Sequence, residues 1–213
     1  MLPTPDYSHF KTQDYETFYE PSEDTFLFLD ALELDINFLN NLKPLVIVEI
    51  GSGSGLVINF LAKNLKNNAI YISTDFNSNA CLATQKTSIQ NKNDFIDQIN
   101  CDLIGPIQSR LEKSIDVLLF NPPYVVTESN ELGFGDLRAA WAGGKKGREV
   151  MDRLFPLIDF ILSPTGVFYL VCIKPNQIDE IEKLLTGFKM TILMNRKAGI
   201  ENLFVLKFTR DIQ

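Results

Sequence analysis

From residue 45 to residue 186 the chain alternates short apolar runs with stretches of helical spacing, and few folds accommodate that alternation. Runs at 45–50 (LVIVEI), 69–74, 94–100, 116–120 and 166–172 read as strands, the third being the most polar. The first four stop at or just before a glycine, an aspartate or a proline pair. Helices are expected between them at 55–64, 78–90, 148–162 and 176–186, with Val150, Leu154, Ile158 and Ile161 on one face of the third. Upstream, Pro21-Ser22-Glu23-Asp24-Thr25 marks a helix start with acids in its first turn. Phe26, Leu29 and Leu32 then follow at helical spacing, opposite Asp30 and Glu33. Near the end, 189–195 and 203–208 flank Arg196-Lys197-Ala198-Gly199 and read as an antiparallel hairpin. The sum is an α/β fold: a mainly parallel sheet with helices on both faces and crossovers of one hand. Ligands of such sheets lie at the carboxyl ends of the strands, near the topological switch.

With 213 residues, 45% hydrophobic and 22% charged, the chain suits a single domain over 21–213, preceded by a polar, aromatic arm over 1–20. A net charge of −7 counts against a nucleic-acid or anionic-membrane surface, which would need excess Lys and Arg. Lys145-Lys146-Gly147-Arg148 is a short basic run and nothing more. Three cysteines without CxxC spacing make neither a disulfide framework nor a zinc site, so no metal is expected and a reducing compartment is. The polar start MLPTPDYSHFKTQDYE is no signal peptide, and no apolar run reaches membrane-spanning length. A cytoplasmic or nuclear protein is the expectation.

Three strand ends carry chemistry. The first runs through Glu49 into Gly51-Ser52-Gly53-Ser54-Gly55, a loop whose glycines allow a tight turn and close approach to a ligand. The dinucleotide fingerprint is not met, and Glu49 would repel a pyrophosphate, so a ligand with positive charge fits better. Asp75 closes the second strand, where a carboxylate accepts from both hydroxyls of a ribose. Asp102, past the third, is placed to accept from an adenine amine, with Leu103 beside the ring. A nucleoside bearing a cationic group, S-adenosylmethionine, matches this set.

The fourth strand runs straight into Asn121-Pro122-Pro123-Tyr124. Two prolines remove two donors and freeze the chain, more than a simple turn needs. An amide or aromatic amine is a poor nucleophile because its lone pair is delocalised. Two fixed acceptors, the Asn121 side-chain carbonyl and the Pro122 backbone carbonyl, would bind both N–H groups and favour localisation. Tyr124 offers a flat surface for a planar group. The acceptor nitrogen of a methyl transfer belongs here.

Together, VEIGSGSG and NPPY resemble the class I S-adenosylmethionine-dependent methyltransferases acting on amino nitrogens. More closely, YEPSEDTFLFLDALE (19–33), NPPYVVT (121–127) and AAWAGGKKGREVMDRLFP (139–156) resemble the eukaryotic branch of the HemK-like protein glutamine methyltransferases. The resemblance implies a seven-stranded sheet ending in an antiparallel hairpin. It also implies an activity: methylation of the glutamine amide (N5) in the Gly-Gly-Gln motif of the class I translation release factor, free or with its GTPase partner. By the same resemblance Thr25, Glu49, Gly51, Gly53, Asp75, Asp102, Leu103 and Asn121 hold the cofactor. Asn121 through Tyr124 hold the substrate glutamine, Trp141, Gly143 and Gly144 line the substrate entrance, and Arg148 caps that loop. A small zinc-binding activator subunit is the implied partner. The third strand would be a sheet edge, and its Phe95, Ile96 and Ile99 are candidate contacts for that partner.

Other functions compete. NPPY also suits the N6 amine of adenine in nucleic acid, against which stand the acidic balance and the lack of a target-recognition domain. A lysine amine, which must lose a proton, gains little from two carbonyl acceptors. A non-catalytic scaffold would not need Glu49, Asp75, Asp102 and Asn121 all intact. His9, the single histidine, lies in the arm and has no expected catalytic role.

Overall fold

A computed structural model of the chain describes residues 2–132, 140–199 and 201–211. Its sheet comprises β1 (Val46–Ile50), β2 (Ile70–Asp75), β3 (Asp97–Asn100), β4 (Ile115–Phe120), β5 (Leu162–Ile173), β6 (Phe188–Ala198) and β7 (Glu201–Arg210). These lie in the order β3-β2-β1-β4-β5-β7-β6. The first five strands pair in parallel, and β7 runs antiparallel to both β5 and β6. After β3 the chain crosses back over β1 to start β4, so the topological switch falls between β1 and β4. Consecutive residues Ile47, Val48, Glu49 and Ile50 are all buried, as are Val117 through Phe120, because helices cover both faces there. Polar Asp116 is tolerated at the other end of β4 because it ties three strands together. Its carboxylate accepts from the N–H groups of Leu45 and Val46, at 2.7 and 3.1 Å, and from the Ser163 hydroxyl at 2.7 Å.

The helices are α1 (Glu23–Leu34), α2 (Ile36–Leu42), α3 (Leu56–Asn64), α4 (Ser78–Gln90), α5 (Glu149–Ile161) and α6 (Ile178–Leu184). In α1 the buried apolar positions are Leu27, Phe28, Leu29, Ala31 and Leu32, so the expected stripe is rotated and Phe26 lies at its margin. The helix sits under β6 and β7 as well as against α3, and needs apolar groups on more than one side. Each fully buried Leu or Phe there contributes about 1.5–3 kcal/mol. In α5 the core face is Met151, Leu154, Phe155, Ile158 and Ile161. Val150 instead turns toward the cavity described below.

Residues 2–20 pack along α4. Phe10, Phe18 and Tyr15 form edge-on and tilted ring pairs, and Phe10 and Phe18 bury against Ala80 and Ala83. His9 lies against Phe10 in a tilted pair, ring centroids 4.0 Å apart.

Two elements differ from expectation. The hairpin pairs up to Ala198 opposite Glu201, with one register shift between Ile192 and Met194, so Arg196 and Lys197 belong to a strand rather than to a turn. Strand β3 starts only at Asp97. Ile96, whose N–H donates to the Asn93 carbonyl in a turn, swings inward and is 3% exposed. The strand is an edge as expected, but Ile96 belongs to the core and is not available to a partner.

Candidate active site

Register brings the marked strand ends into line. Ile50 lies opposite both Thr74 and Phe120, and Asp75 lies opposite Asn100. The residues that follow, from the glycine loop to Asn121, therefore share one edge of the sheet at the switch point. They line a cavity of about 980 Å³ that takes in Thr25, Glu49, Gly51, Gly53, Asp75, Asp102, Leu103, Asn121, Pro122 and Pro123. Asp24 and Tyr19 close it from the α1 side.

The loop after β1 is held by its neighbours as well as by an internal bond from the Gly55 N–H to the Ser52 carbonyl at 2.7 Å. The N–H groups of Gly51 and Ser52 donate to the Thr74 carbonyl at 2.8 and 3.1 Å. The Gly53 N–H donates to Asp75 Oδ2 at 2.9 Å, and Asn77 N–H donates to its Oδ1 at 2.8 Å. Gly55, at φ +79°, leaves no room for a side chain, since a Cβ would stand 2.8 Å from Thr84 Cα. Each Asp75 oxygen keeps a free lone pair for a ligand hydroxyl. Burial raises the Asp75 pKa, and the Gly53 and Asn77 bonds oppose that rise. Glu49 is 2% exposed, and the Ile58 N–H donates to it at 3.0 Å. Burial pushes its carboxyl well above the usual carboxylate range, and the neighbouring Asp75 charge adds to the rise.

At the third strand end, Leu103 has φ +51°, a left-handed conformation that costs a side-chain-bearing residue on the order of 1–3 kcal/mol. Asp102 forms an ion pair with Arg153 of α5, a partner its sequence neighbourhood does not reveal.

The Asn121 amide is fixed from one side. Its Nδ2 donates to Asp24 Oδ2 at 3.0 Å, while its Oδ1 is buried and has no hydrogen-bond partner among the described residues. Such an orphan acceptor is costly unless something binds there. Pro122 and Pro123 form the adjoining wall. Tyr124 stands behind that wall, 9% exposed, and its hydroxyl donates to the same Asp24 oxygen at 3.1 Å. Burial, with the neighbouring Asp24 and Tyr19, raises its pKa.

The backbones of Trp141, Gly143 and Gly144 hold the segment that follows NPPY. Val125 N–H donates to the Trp141 carbonyl at 3.0 Å, and Gly143 N–H to the Val125 carbonyl at 2.8 Å. Thr127 N–H donates to the Gly144 carbonyl at 3.1 Å. This short parallel bridge clamps the chain leaving NPPY. Arg148 is buried behind it and donates to the Asn176 carbonyl at 3.1 Å while pairing with Glu180 and Asp152.

Three supports of NPPY are not assigned by sequence reasoning. Glu23 and Asp24 read equally as acids closing over the cofactor or as ordinary acids of a helix start, and Asn176 and Gly147 carry no local signal at all. Asn176 is fully buried, and its Nδ2 donates to the Tyr124 carbonyl at 2.8 Å. Gly147, at φ +63°, presses its Cα against that same carbonyl, which a Cβ would meet at 2.0 Å. Gly147→Ala should therefore displace NPPY. We expect a drop in melting temperature larger than backbone strain of about 1–3 kcal/mol produces by itself, together with loss of transfer activity. An unchanged melting curve would contradict this packing.

This topology, with the glycine loop, two strand-end acids and NPPY around one cavity, defines a class I methyltransferase. No family model matches the chain. It is 46% identical over 210 residues to Methyltransferase HEMK2 of Homo sapiens, covering 98% of this chain and 97% of that one. It is 36% identical over 225 residues to the eRF1 methyltransferase catalytic subunit mtq2 of Schizosaccharomyces pombe, covering 99% and 96%. A solved structure of the E. cuniculi Mtq2–Trm112 complex, described as methylating the eRF1 translation termination factor, superposes with a TM-score of 0.67 at 29% identity. That match covers 92% of this chain and 99% of that one. The chain belongs to the HEMK2 family of methyltransferases.

Proposed function

We propose that the chain transfers a methyl group from S-adenosylmethionine to the side-chain amide nitrogen (N5) of the Gly-Gly-Gln glutamine of eRF1. It does so as a heterodimer with a small zinc-binding activator. The observation that carries this reading is the buried Oδ1 of Asn121, which has no hydrogen-bond partner among the described residues, on a residue that lines the cavity beside Pro122 and Pro123. The cofactor supplies an electrophilic methyl group on a sulfonium. The residues present fit it: Glu49 and Asp75 for its cationic and ribose ends, the glycine loop for its backbone approach, Asp102 and Leu103 for its base, and Thr25 at the methionine end.

Asn121 Oδ1 and the Pro122 carbonyl accept the two amide hydrogens of the glutamine and hold its nitrogen toward the donor. Held so, the nitrogen would offer a localised lone pair to the methyl group that a bound cofactor would supply, with the cofactor's sulfur as leaving group. The extra proton then leaves the nitrogen for water, so no strong base is needed. Alignment of this kind supplies roughly 7–11 kcal/mol of the barrier reduction. The net charge of −7 favours a protein over a nucleic-acid acceptor.

For the activator, the β3 edge is the proposed seat. It offers unpaired backbone groups, and Phe95 is 54% exposed over Tyr71, with ring centroids 5.7 Å apart. Ile99 is half-buried on the same strand. Phe95→Asp should abolish co-purification of the activator while the chain keeps its fold. Undiminished co-purification would remove this edge from the account. No helix among the described residues is long and apolar enough to cross a membrane.

The function is tested by giving the purified heterodimer labelled cofactor with eRF1, its Gln→Ala motif variant, or DNA. Label in eRF1 alone is expected. Label in DNA and none in eRF1 would overturn the reading.

A further inference from the structure

Asp24 occupies the first turn of α1 yet is 3% exposed. Capping does not explain its burial. The helix start is already closed by Ser22 and Thr25, whose side chains bond each other's backbone N–H groups reciprocally. What surrounds Asp24 is the acceptor site. Oδ2 receives Asn121 Nδ2 at 3.0 Å and the Tyr124 hydroxyl at 3.1 Å, and Oδ1 receives Thr25 N–H at 2.7 Å. The Tyr19 hydroxyl stands 3.3 Å from both oxygens.

We infer that Asp24 is a positioning residue for methyl acceptance, acting through the Asn121 amide. This rests on the glutamine-amide reading given above. A side-chain amide has a donor end and an acceptor end of almost the same shape, and its surroundings decide which way it faces. The groups around Asp24 donate to it, Thr25 N–H to one oxygen and the Tyr124 hydroxyl to the other, so the NH2 end of Asn121 faces it. Oδ1 is then left buried and without a partner among the described residues, on a residue that lines the cavity. The flipped amide would set oxygen against oxygen at Asp24 and present a donor to a group that itself must donate. The same carboxylate oxygen holds Tyr124, so one anion fixes both polar side chains of NPPY. An uncharged amide at position 24 would both donate and accept, and either orientation of Asn121 would satisfy it.

Asp24→Asn, made in the full heterodimer and assayed on eRF1, is expected to lower kcat on the order of 100-fold. KM for eRF1 should stay close to wild type, because the protein substrate docks over a far larger surface. A fall in protein stability alone would not give that split. The second readout needs no turnover: 15N spectra of the wild-type Asn121 side-chain amide, assigned by comparison with Asn121→Gln. Bonded to a buried carboxylate, its hydrogens should be shifted and protected from exchange, and Asp24→Asn should remove the protection. A kcat within about twofold of wild type, or a wild-type Asn121 amide that exchanges like an exposed one, would overturn the inference. Should Asp24→Asn fail to fold, the wild-type spectrum still decides. An active enzyme that methylates something other than the eRF1 glutamine would sink the proposed function, yet leave the spectral test of Asp24 standing.

Discussion

Asn121→Ala is expected to reduce methyl transfer by roughly 100- to 1,000-fold, the usual cost of removing one preorganised polar group from a transition state. Cofactor affinity should remain near wild type. The reason lies in how the site is divided. The glycine loop, Glu49, Asp75 and Asp102 come from β1, β2 and the end of β3, whereas Asn121 and Pro122 come from β4 across the topological switch. Truncating Asn121 deletes the orphan acceptor and leaves Asp24 Oδ2 with the Tyr124 hydroxyl alone among its NPPY partners. Stopped-flow turnover and calorimetric cofactor titration of the same preparation check this. Intact turnover would mean the acceptor nitrogen lies elsewhere, and a parallel loss of cofactor binding would mean Asn121 serves the donor instead.

Glu49→Gln should have the opposite pattern: a more stable cofactor-free protein that binds cofactor at least about tenfold more weakly. Burial raises the folded-state pKa of Glu49, so the folded protein holds this proton more tightly than the unfolded chain. Stability from this group is complete below the ordinary carboxylate range and is lost as pH rises through the folded pKa. Asp75, also raised by burial, adds a contribution of the same sign. Glutamine cannot ionise, so Glu49→Gln should flatten that pH slope and raise the melting temperature above it. Cofactor affinity of the wild type should rise with pH over the same window, because a cationic ligand favours the ionised carboxylate, and binding should release protons. A pH-independent affinity, with the variant binding as tightly as wild type, would show that Glu49 meets no positive charge.

What the sequence made legible follows physical locality. A glycine loop, an acid closing a strand and two consecutive prolines declare themselves by residue type, and parallel pairing brings successive strand ends to one edge. Glu49, Asp75, Asp102 and Asn121 could thus be placed around one cavity without coordinates. Asp24 could not. Its local pattern equals that of Glu23, and the partners that bury it are 97 and 100 residues away. Asn176 and Gly147 act on the Tyr124 backbone, so no side-chain chemistry advertises them. Trp141, Gly143 and Gly144 are expected at the substrate entrance from resemblance, and their backbone bonds to Val125 and Thr127 are a tertiary pairing that residue type does not announce. The Ile96 error came from extending strand periodicity through residues 94–96, where a turn at Asn93 changes which way the side chain points. Polar Arg196 and Lys197 suggested a turn, but pairing with Leu203 and Asn202 in the terminal hairpin outweighs that preference.

The central claim is that the acceptor is the glutamine amide nitrogen. Fragmentation mass spectrometry of eRF1 after reaction with the heterodimer tests it most directly. The account predicts a single methyl group on the side-chain nitrogen of the Gly-Gly-Gln glutamine, absent after reaction with Asn121→Ala. A methyl group placed on another residue of eRF1, with that glutamine unmodified, would contradict it.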